Sequence, residues 1–148
     1  MTKVWGPITW IFIHSFSQQI SEKCFLKNKN EILRIIKNIC TNVPCSECSK
    51  HASQYFNKYF KNINNKDNLI YFLHTFHNNV NSRLKKPIFQ DLQNYKTSKL
   101  KNIFDNFKII YLKKYNLVKD FHNIMFKKRL IEDINKFFIK NKDEILWL

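Results

Sequence analysis

Residues 5–20 read WGPITWIFIHSFSQQI, and their spacing sets the pattern of the chain. Apolar side chains recur there at the three- and four-residue interval of one helix face: Ile8, Ile11, Phe12 and Phe16. Pro7 falls in the first turn, where a missing N–H group is tolerated. The stretch therefore predicts an amphipathic α-helix over about residues 5–20.

Three further helices are predicted before residue 90. One covers the isoleucine-rich run at residues 32–39, follows a polar linker at residues 27–30, and ends near Pro44, because the residue before a proline avoids the helical conformation. The next begins at Cys45. The fourth extends from Asp67, as its N-cap, to Leu84. Six of its side chains are predicted to point inward: Leu69, Phe72, Leu73, Phe76, Val80 and Leu84.

Two more amphipathic runs follow, over residues 100–111 and 121–138. One glycine and three prolines in 148 residues leave little material for hairpin turns, and 44% hydrophobic content suffices for a packed core. The sequence therefore predicts an all-α protein. We expect one domain at residues 1–95, followed by a helical extension at residues 96–148 that packs on the bundle, on a second subunit or on a substrate.

The formal net charge of +15 would suit a nucleic acid, an anionic membrane or an acidic partner. Lysines are scattered along the whole length, however, and no nucleic-acid recognition motif accompanies them, so specific nucleic-acid binding is not expected. No window approaches the roughly 20 apolar residues of a membrane span, and no secretion signal is expected.

The segment Cys45-Ser46-Glu47-Cys48 places two thiols one helical turn apart, directly after Pro44. The unpaired N–H groups and the positive dipole of a helix start favour a thiolate, which is the attacking species in thiol–disulfide exchange. Four cysteines are too few for a disulfide scaffold. The pair therefore indicates a redox-active dithiol.

Two other interpretations of Cys45 and Cys48 stay open at this point. Together with His74 and His77 they form a possible Cys2His2 zinc site, with His51 as a further ligand, although this histidine spacing departs from the usual zinc-finger pattern. A zinc-stabilised or basic nucleic-acid-binding adaptor is thus the alternative function. A thioredoxin-like site is disfavoured because the pair follows a helical run and no βαβ pattern is present. A dithiol outside that fold needs an electron acceptor, of which flavin is a common one.

Three separated motifs bring a family into view. Residues 5–14 are similar to W-G-P-x-x-W-x-x-L-H, residues 44–51 to P-C-x-x-C-x-x-H, and residues 77–87 to H-N-x-V-N-x-x-L-x-K-P. Their order and separation resemble those of the Erv/ALR sulfhydryl oxidases, most closely the compact viral members. The resemblance covers about residues 3–95.

The resemblance implies a four-helix bundle with a short fifth segment that holds FAD in its mouth and has no resident metal. The implied catalytic residues are Cys45 and Cys48. The implied FAD-binding residues are Trp5, Gly6, Trp10, His14, His51, Tyr55, His77, Asn78, Val80, Asn81, Leu84, Lys85 and Lys86. Helical spacing independently puts His77 and Asn81 on one face.

By analogy with the family, a substrate thiolate attacks Cys45, the outer cysteine, while Cys48 faces the flavin. Electrons then reach FAD and dioxygen, giving hydrogen peroxide. The implied partner is a thioredoxin-like or small relay dithiol protein, and a homodimer is expected. The implied location is the host cytoplasm or virion of a virus, with the mitochondrial intermembrane space as the alternative.

The chain departs from the family pattern in its cysteines. Many members carry a further structural disulfide and a distal shuttle pair, whereas no cysteine follows Cys48 here. Substrate must therefore reach Cys45 directly. Cys24 and Cys40 remain, either as a bridge that ties the linker to the second helix or as two buried free thiols.

Overall fold

The computed structural model describes residues 4–90, 95–113 and 121–145. Within them lie seven α-helices: α1 (Trp5–Gln19), α2 (Glu22–Lys27), α3 (Lys29–Cys40), α4 (Ser46–Tyr59), α5 (Lys66–Arg83), α6 (Leu100–Tyr111) and α7 (Phe121–Lys140). Short 3-10 helices follow α4 and α7, at Phe60–Asn62 and Lys142–Glu144. The only extended pairing in these residues is an isolated antiparallel bridge between Ile20 and Ile145. The all-α prediction is confirmed.

The four predicted bundle helices correspond to α1, α3, α4 and α5, and the two predicted later runs correspond to α6 and α7. Helix α1 contacts α5 and α6, whereas α3 contacts α4 and α7. The helices of the extension therefore pack on the bundle. The division into two domains at residue 95 stays a prediction.

Helix α2 was not predicted, and the expectation of a polar linker over residues 27–30 was wrong. Ser21 caps α2, since its hydroxyl accepts a hydrogen bond from the Cys24 backbone N–H at 3.0 Å. Cys24 and Phe25 are buried. A single residue, Asn28, separates α2 from α3. The glutamate and lysine residues of this six-residue helix obscured it, because only Cys24 and Phe25 are buried.

The predicted N-cap of α5 was also wrong by two residues. Asn65, not Asp67, is the cap, because its side-chain oxygen accepts a hydrogen bond from the Asn68 backbone N–H at 2.7 Å. Asp67 lies in the first turn, where its negative charge faces the positive end of the helix dipole. Both residue types suit a helix start, so the sequence alone did not separate them.

One continuous core joins the bundle to the extension. Phe12 of α1 is fully buried, and its ring centroid lies 5.4 Å from that of Phe104 and 4.4 Å from that of Phe107, both in α6. Phe138 of α7 meets the Phe104 ring edge-on at 5.2 Å. Burying each such side chain contributes about 1.5–3 kcal/mol, so apolar packing fixes the extension on α1.

Cys24 and Cys40 are buried free thiols. Among the residues that the structure describes, no helix is long and apolar enough to cross a membrane.

Candidate functional site

Cys45 and Cys48 form a disulfide at the start of α4. Cys45 is the N-cap residue, and its Sγ accepts a hydrogen bond from the Cys48 backbone N–H at 3.2 Å. The turn before it is held by Val43, whose carbonyl oxygen accepts from the Cys45 N–H at 2.8 Å and from the Ser49 hydroxyl at 3.2 Å. Both cysteines are partly exposed. A disulfide at a helix N-terminus leaves a thiolate stabilised by the dipole when it is opened.

Beside this disulfide lies a cavity of about 390 Å³, a size typical of small-molecule sites. Cys48 contributes to its wall, whereas Cys45 is not among the lining residues. Eight further residues predicted to bind the cofactor line it: Trp5, Gly6, Trp10, His77, Val80, Asn81, Leu84 and Lys86. The structure thus brings all three sequence motifs together around one space.

A column of stacked rings forms one wall. The Trp10 and His77 rings are parallel within 9° with centroids 3.9 Å apart, and Phe89 stacks on His77 at 4.6 Å. His14 lies behind this wall, where its Nε2 is 3.0 Å from Nδ1 of His77. Since one ring nitrogen must donate and the other accept, this hydrogen bond requires a neutral pair or a singly protonated one.

Both histidines of the pair have pKa values below the ordinary value of 6.5. Burial, together with repulsion from His77 and His74, lowers the pKa of His14 to about 3. Burial, together with repulsion from His74 and Lys86, lowers the pKa of His77 to about 4. Both rings are therefore uncharged near neutral pH, which leaves the wall apolar in character with one fixed hydrogen bond inside it.

The end of α5 brings positive charge to the cavity. Lys85 has a φ of 56°, the left-handed conformation that glycine usually takes after a helix. The Lys85 N–H donates to the Ser82 carbonyl at 3.1 Å, and the Lys86 N–H donates to the Asn81 carbonyl at 2.8 Å. Around this Schellman turn Arg83, Lys85 and Lys86 are all exposed, but only Arg83 and Lys86 line the cavity. Non-glycine residues in this conformation concentrate at functional sites.

Five predicted FAD-binding residues do not line the cavity: His14, His51, Tyr55, Asn78 and Lys85. Three of these lie directly behind it. The ring centroids of His51 and Tyr55 lie 6.2 and 5.1 Å from that of Phe76, which is a lining residue. His14 contacts His77 as described.

Asn78 has a supporting position. Its side-chain oxygen accepts from the Phe89 N–H at 2.7 Å, and its side-chain nitrogen donates to the Phe89 carbonyl at 3.1 Å. Both polar groups of the amide are thus engaged by the backbone of residue 89. Asn78 fixes a wall residue instead of facing the cavity.

Sequence reasoning missed several lining residues, among them Cys40, Val43, Phe76, Arg83, Phe89 and Tyr95. Arg83 lies at a variable position of the third motif, so its charge was the available signal. Phe89 and Tyr95 follow Pro87 in a segment without helical periodicity. Only the fold places these two rings against His14 of α1 and His77 of α5.

The lining chemistry suits a planar aromatic ligand with an anionic group. Flat rings of Trp5, Trp10 and Phe76 offer stacking surfaces. Arg83 and Lys86 offer cations for a phosphate. Gly6, the only glycine in the chain, is buried in the wall, and a side chain there would narrow the space.

The zinc interpretation fits the geometry poorly. Cys45 and Cys48 are joined by a disulfide bond, and Nδ1 of His77 is hydrogen-bonded to Nε2 of His14. Across residues 4–90, 95–113 and 121–145, no three side chains among histidine, cysteine, aspartate and glutamate are grouped so that they could hold a metal ion.

Comparison with known proteins gives the same picture. The family model described as "Erv1 / Alr family" matches residues 7–105. A FAD-linked sulfhydryl oxidase of African swine fever virus (isolate Warthog/Namibia/Wart80/1980) is 35% identical over 101 residues, which cover 68% of this chain and 80% of that protein. A putative FAD-linked sulfhydryl oxidase, 096R, of Invertebrate iridescent virus 3 is 30% identical, covering 57% of this chain and 59% of that protein.

Similarity extends to cellular proteins. The FAD-linked sulfhydryl oxidase ERV1 of Arabidopsis thaliana is 26% identical over 84 residues, which cover 57% of this chain and 44% of that protein. Residues 7–105, which the family model matches, contain the disulfide and most of the cavity wall. The chain belongs to the Erv1 / Alr family.

Proposed function

We propose that this chain is an FAD-dependent sulfhydryl oxidase, in which the cavity beside Cys48 holds the flavin. The observation that carries the proposal is that one half of a helix-capping disulfide lines an aromatic-walled cavity. A redox disulfide that is to be re-formed after each turnover needs a two-electron acceptor next to it. The family membership and the names of the viral and cellular relatives supply the same function.

The lining residues fit FAD. The Trp10–His77 stack and Phe76 would hold ring systems by stacking, and Asn81 would meet polar ring edges. Arg83 and Lys86 would meet the diphosphate. The chemistry that bound FAD supplies is acceptance of two electrons from the dithiol and their transfer to dioxygen, which yields hydrogen peroxide.

The roles of the two cysteines follow from their positions. A substrate thiolate attacks Sγ of Cys45, the S–S bond to Cys48 breaks, and Cys48 leaves as a thiolate toward the cavity. A second substrate thiol, deprotonated, then attacks the substrate sulfur of the mixed disulfide, which releases oxidised substrate and leaves Cys45 reduced. The start of α4 stabilises the thiolates through its dipole and N–H groups.

The finer partner assignments are part of the proposal. A dithiol protein, thioredoxin-like or a small relay protein, is the substrate, and dioxygen is the terminal acceptor. The protein acts as a homodimer, in the host cytoplasm or virion of a virus, a context that the viral relatives favour. Cellular relatives, one of them a mitochondrial sulfhydryl oxidase, keep the intermembrane space as the alternative.

The test of the function is Cys48→Ser in the full-length chain. We expect the purified wild type to show flavin absorbance and to consume oxygen with dithiothreitol as substrate. The variant should lose that turnover by at least about a thousandfold while keeping its flavin, because the thiolate beside the flavin is removed. Oxygen-electrode rates and visible spectra measure both quantities.

Cys24→Ser is the matched control, because Cys24 is a buried free thiol outside the cavity lining. It should keep full turnover. A colourless wild type that contains stoichiometric zinc would overturn the proposed function, and retained turnover in Cys48→Ser would overturn the cysteine assignment. Incubated with the oxidised, disulfide-containing form of the substrate protein, the same variant should hold that protein as a mixed disulfide on Cys45, because the Cys45 thiolate attacks the substrate disulfide and releases one substrate thiolate. Mass spectrometry then identifies the protein.

A further inference from the structure

The last residue of α1, Gln19, makes an unusual set of contacts with the segment that precedes α6. Its Nε2 donates to the Tyr95 carbonyl at 2.8 Å, to the Ser98 carbonyl at 2.7 Å and to the Ser98 hydroxyl at 3.0 Å. The Gln19 side chain is buried, 2% exposed. Ser15, one turn earlier, adds a contact between its hydroxyl and that of Ser98 at 3.2 Å.

The hydrogen bonds of Gln19 hold a residue of the cavity wall in place. Tyr95 lines the cavity, and its ring stacks on His14 with centroids 5.1 Å apart. His14 is hydrogen-bonded to His77, which is itself a lining residue. Gln19 does not line the cavity, so its hydrogen bonds reach the site only through the backbone that carries Tyr95.

We infer that Gln19 is a positioning residue for the flavin site, which holds Tyr95 against His14 and so makes the start of the extension part of the cavity. This inference rests on the proposed function, since it takes the cavity as the FAD site. Without these hydrogen bonds, the backbone that carries Tyr95 would become ordered only when FAD binds. The conformational entropy lost in that ordering would reduce the affinity for FAD. The hydrogen bonds of Gln19 remove this cost in advance.

Gln18 provides an unusually close control. It is the adjacent residue, it is 5% exposed, and among the residues that the structure describes neither its Nε2 nor its Oε1 has a hydrogen-bond partner. Replacing Gln18 by leucine therefore removes an amide of the same size and burial without breaking a hydrogen bond. Replacing Gln19 by leucine breaks all three.

The experiment measures FAD dissociation from holoprotein on dilution, by recovery of free-flavin fluorescence. We expect Gln19→Leu to weaken FAD binding about tenfold, as expected when one or two buried hydrogen bonds are lost, and Gln18→Leu to change it by less than about twofold. Hydrogen exchange of the amides of residues 95–99 should accelerate in Gln19→Leu alone.

A double-mutant cycle identifies the route. Tyr95→Ala keeps the carbonyl acceptor but removes the ring, so it should weaken binding, and adding Gln19→Leu should then have little further effect. Additive effects would overturn the inference. Should Gln19→Leu not fold, Ser98→Ala removes one acceptor and should act in the same direction by about two- to threefold.

The two proposals fail differently. A wild type that binds no FAD contradicts the proposed function. A wild type that binds FAD, together with a Gln19→Leu variant that binds it equally well, contradicts only the inference about Gln19.

Discussion

Helix α1 presents aromatic side chains to two regions, of which one contains a cavity and the other is fully packed. Toward α5, Trp5 and Trp10 border a cavity of about 390 Å³. Toward α6, Phe12 is fully buried against Phe104 and Phe107, with rings 5.4 and 4.4 Å away. The same helix thus supports an open aromatic site on one side and a filled aromatic core on the other.

Aromatic content therefore does not by itself make a ligand site. The filled side has rings from both α6 and α7, which interdigitate as interiors normally do. The open side has polar and charged neighbours, including His77, Arg83 and Lys86, which do not fill a core among themselves. The cavity lining therefore combines apolar rings with charged groups, as a site for an aromatic, anionic ligand would, and the cavity is not a packing defect.

The largest expected effect breaks the filled side. Phe104→Ala should lower the free energy of unfolding by about 3–5 kcal/mol, because a fully enclosed ring leaves a void between α1, α6 and α7. Urea denaturation measures it. Asp133→Asn is the control, since it removes only the exposed Arg34–Asp133 ion pair (3.6 Å) and should cost under about 1 kcal/mol. Equal costs would show that charge, not packing, holds the extension.

The second expected effect is a loss of FAD affinity, caused by a substitution in the cavity wall. Trp10→Ala should weaken FAD binding by about 1–3 kcal/mol, or roughly five- to 150-fold, because it removes a stacking surface. Flavin fluorescence on dilution measures it. Phe104→Ala serves as the comparison at a temperature where that variant is folded, and it should bind FAD nearly normally. The comparison between the two sides fails if Trp10→Ala keeps wild-type affinity.

The smallest expected effect is a change in the free energy of unfolding with pH, caused by the two histidines beside the cavity. The pKa values of His14 and His77, about 3 and about 4, lie below the ordinary value of 6.5. Between pH 6.5 and 4 the unfolded state therefore binds more protons than the folded state, so stability falls as pH falls. We expect a loss on the order of 1 kcal/mol from pH 6.5 to 6, summed over the two histidines.

Urea denaturation at both pH values tests this, and His14→Gln should flatten the dependence because glutamine hydrogen-bonds without titrating. Equal wild-type stability at the two pH values would contradict buried, neutral histidines.

Much of the fold could be predicted from periodicity. The run at residues 5–20 correctly predicted α1, and Pro44 with Cys45 correctly predicted the break between α3 and α4. Helix α2 and the Asn65 cap could not be predicted, because lysine, asparagine and aspartate are compatible with both a loop and a helix end. Such local ambiguities are resolved by which side chains find a core.

The candidate site divides in a similar way. Cys48, Trp10, His77, Asn81 and Lys86 were predicted from motifs and line the cavity. Lysine charge alone did not separate Lys85 from Lys86. The left-handed turn at residue 85 did so: both side chains are exposed, but Lys86 lines the cavity and Lys85 does not.

The helical class, the helix-capping dithiol and the family motifs could be read from the chain, because they depend on local spacing. The fold was needed to show that Tyr95 and Phe89 complete the cavity, that Asn78 and Gln19 hydrogen-bond to their backbone, and that α6 packs on α1 and α7 on α3. These features join residues far apart in sequence. Their positions depend on packing between helices, which periodicity within one helix does not encode.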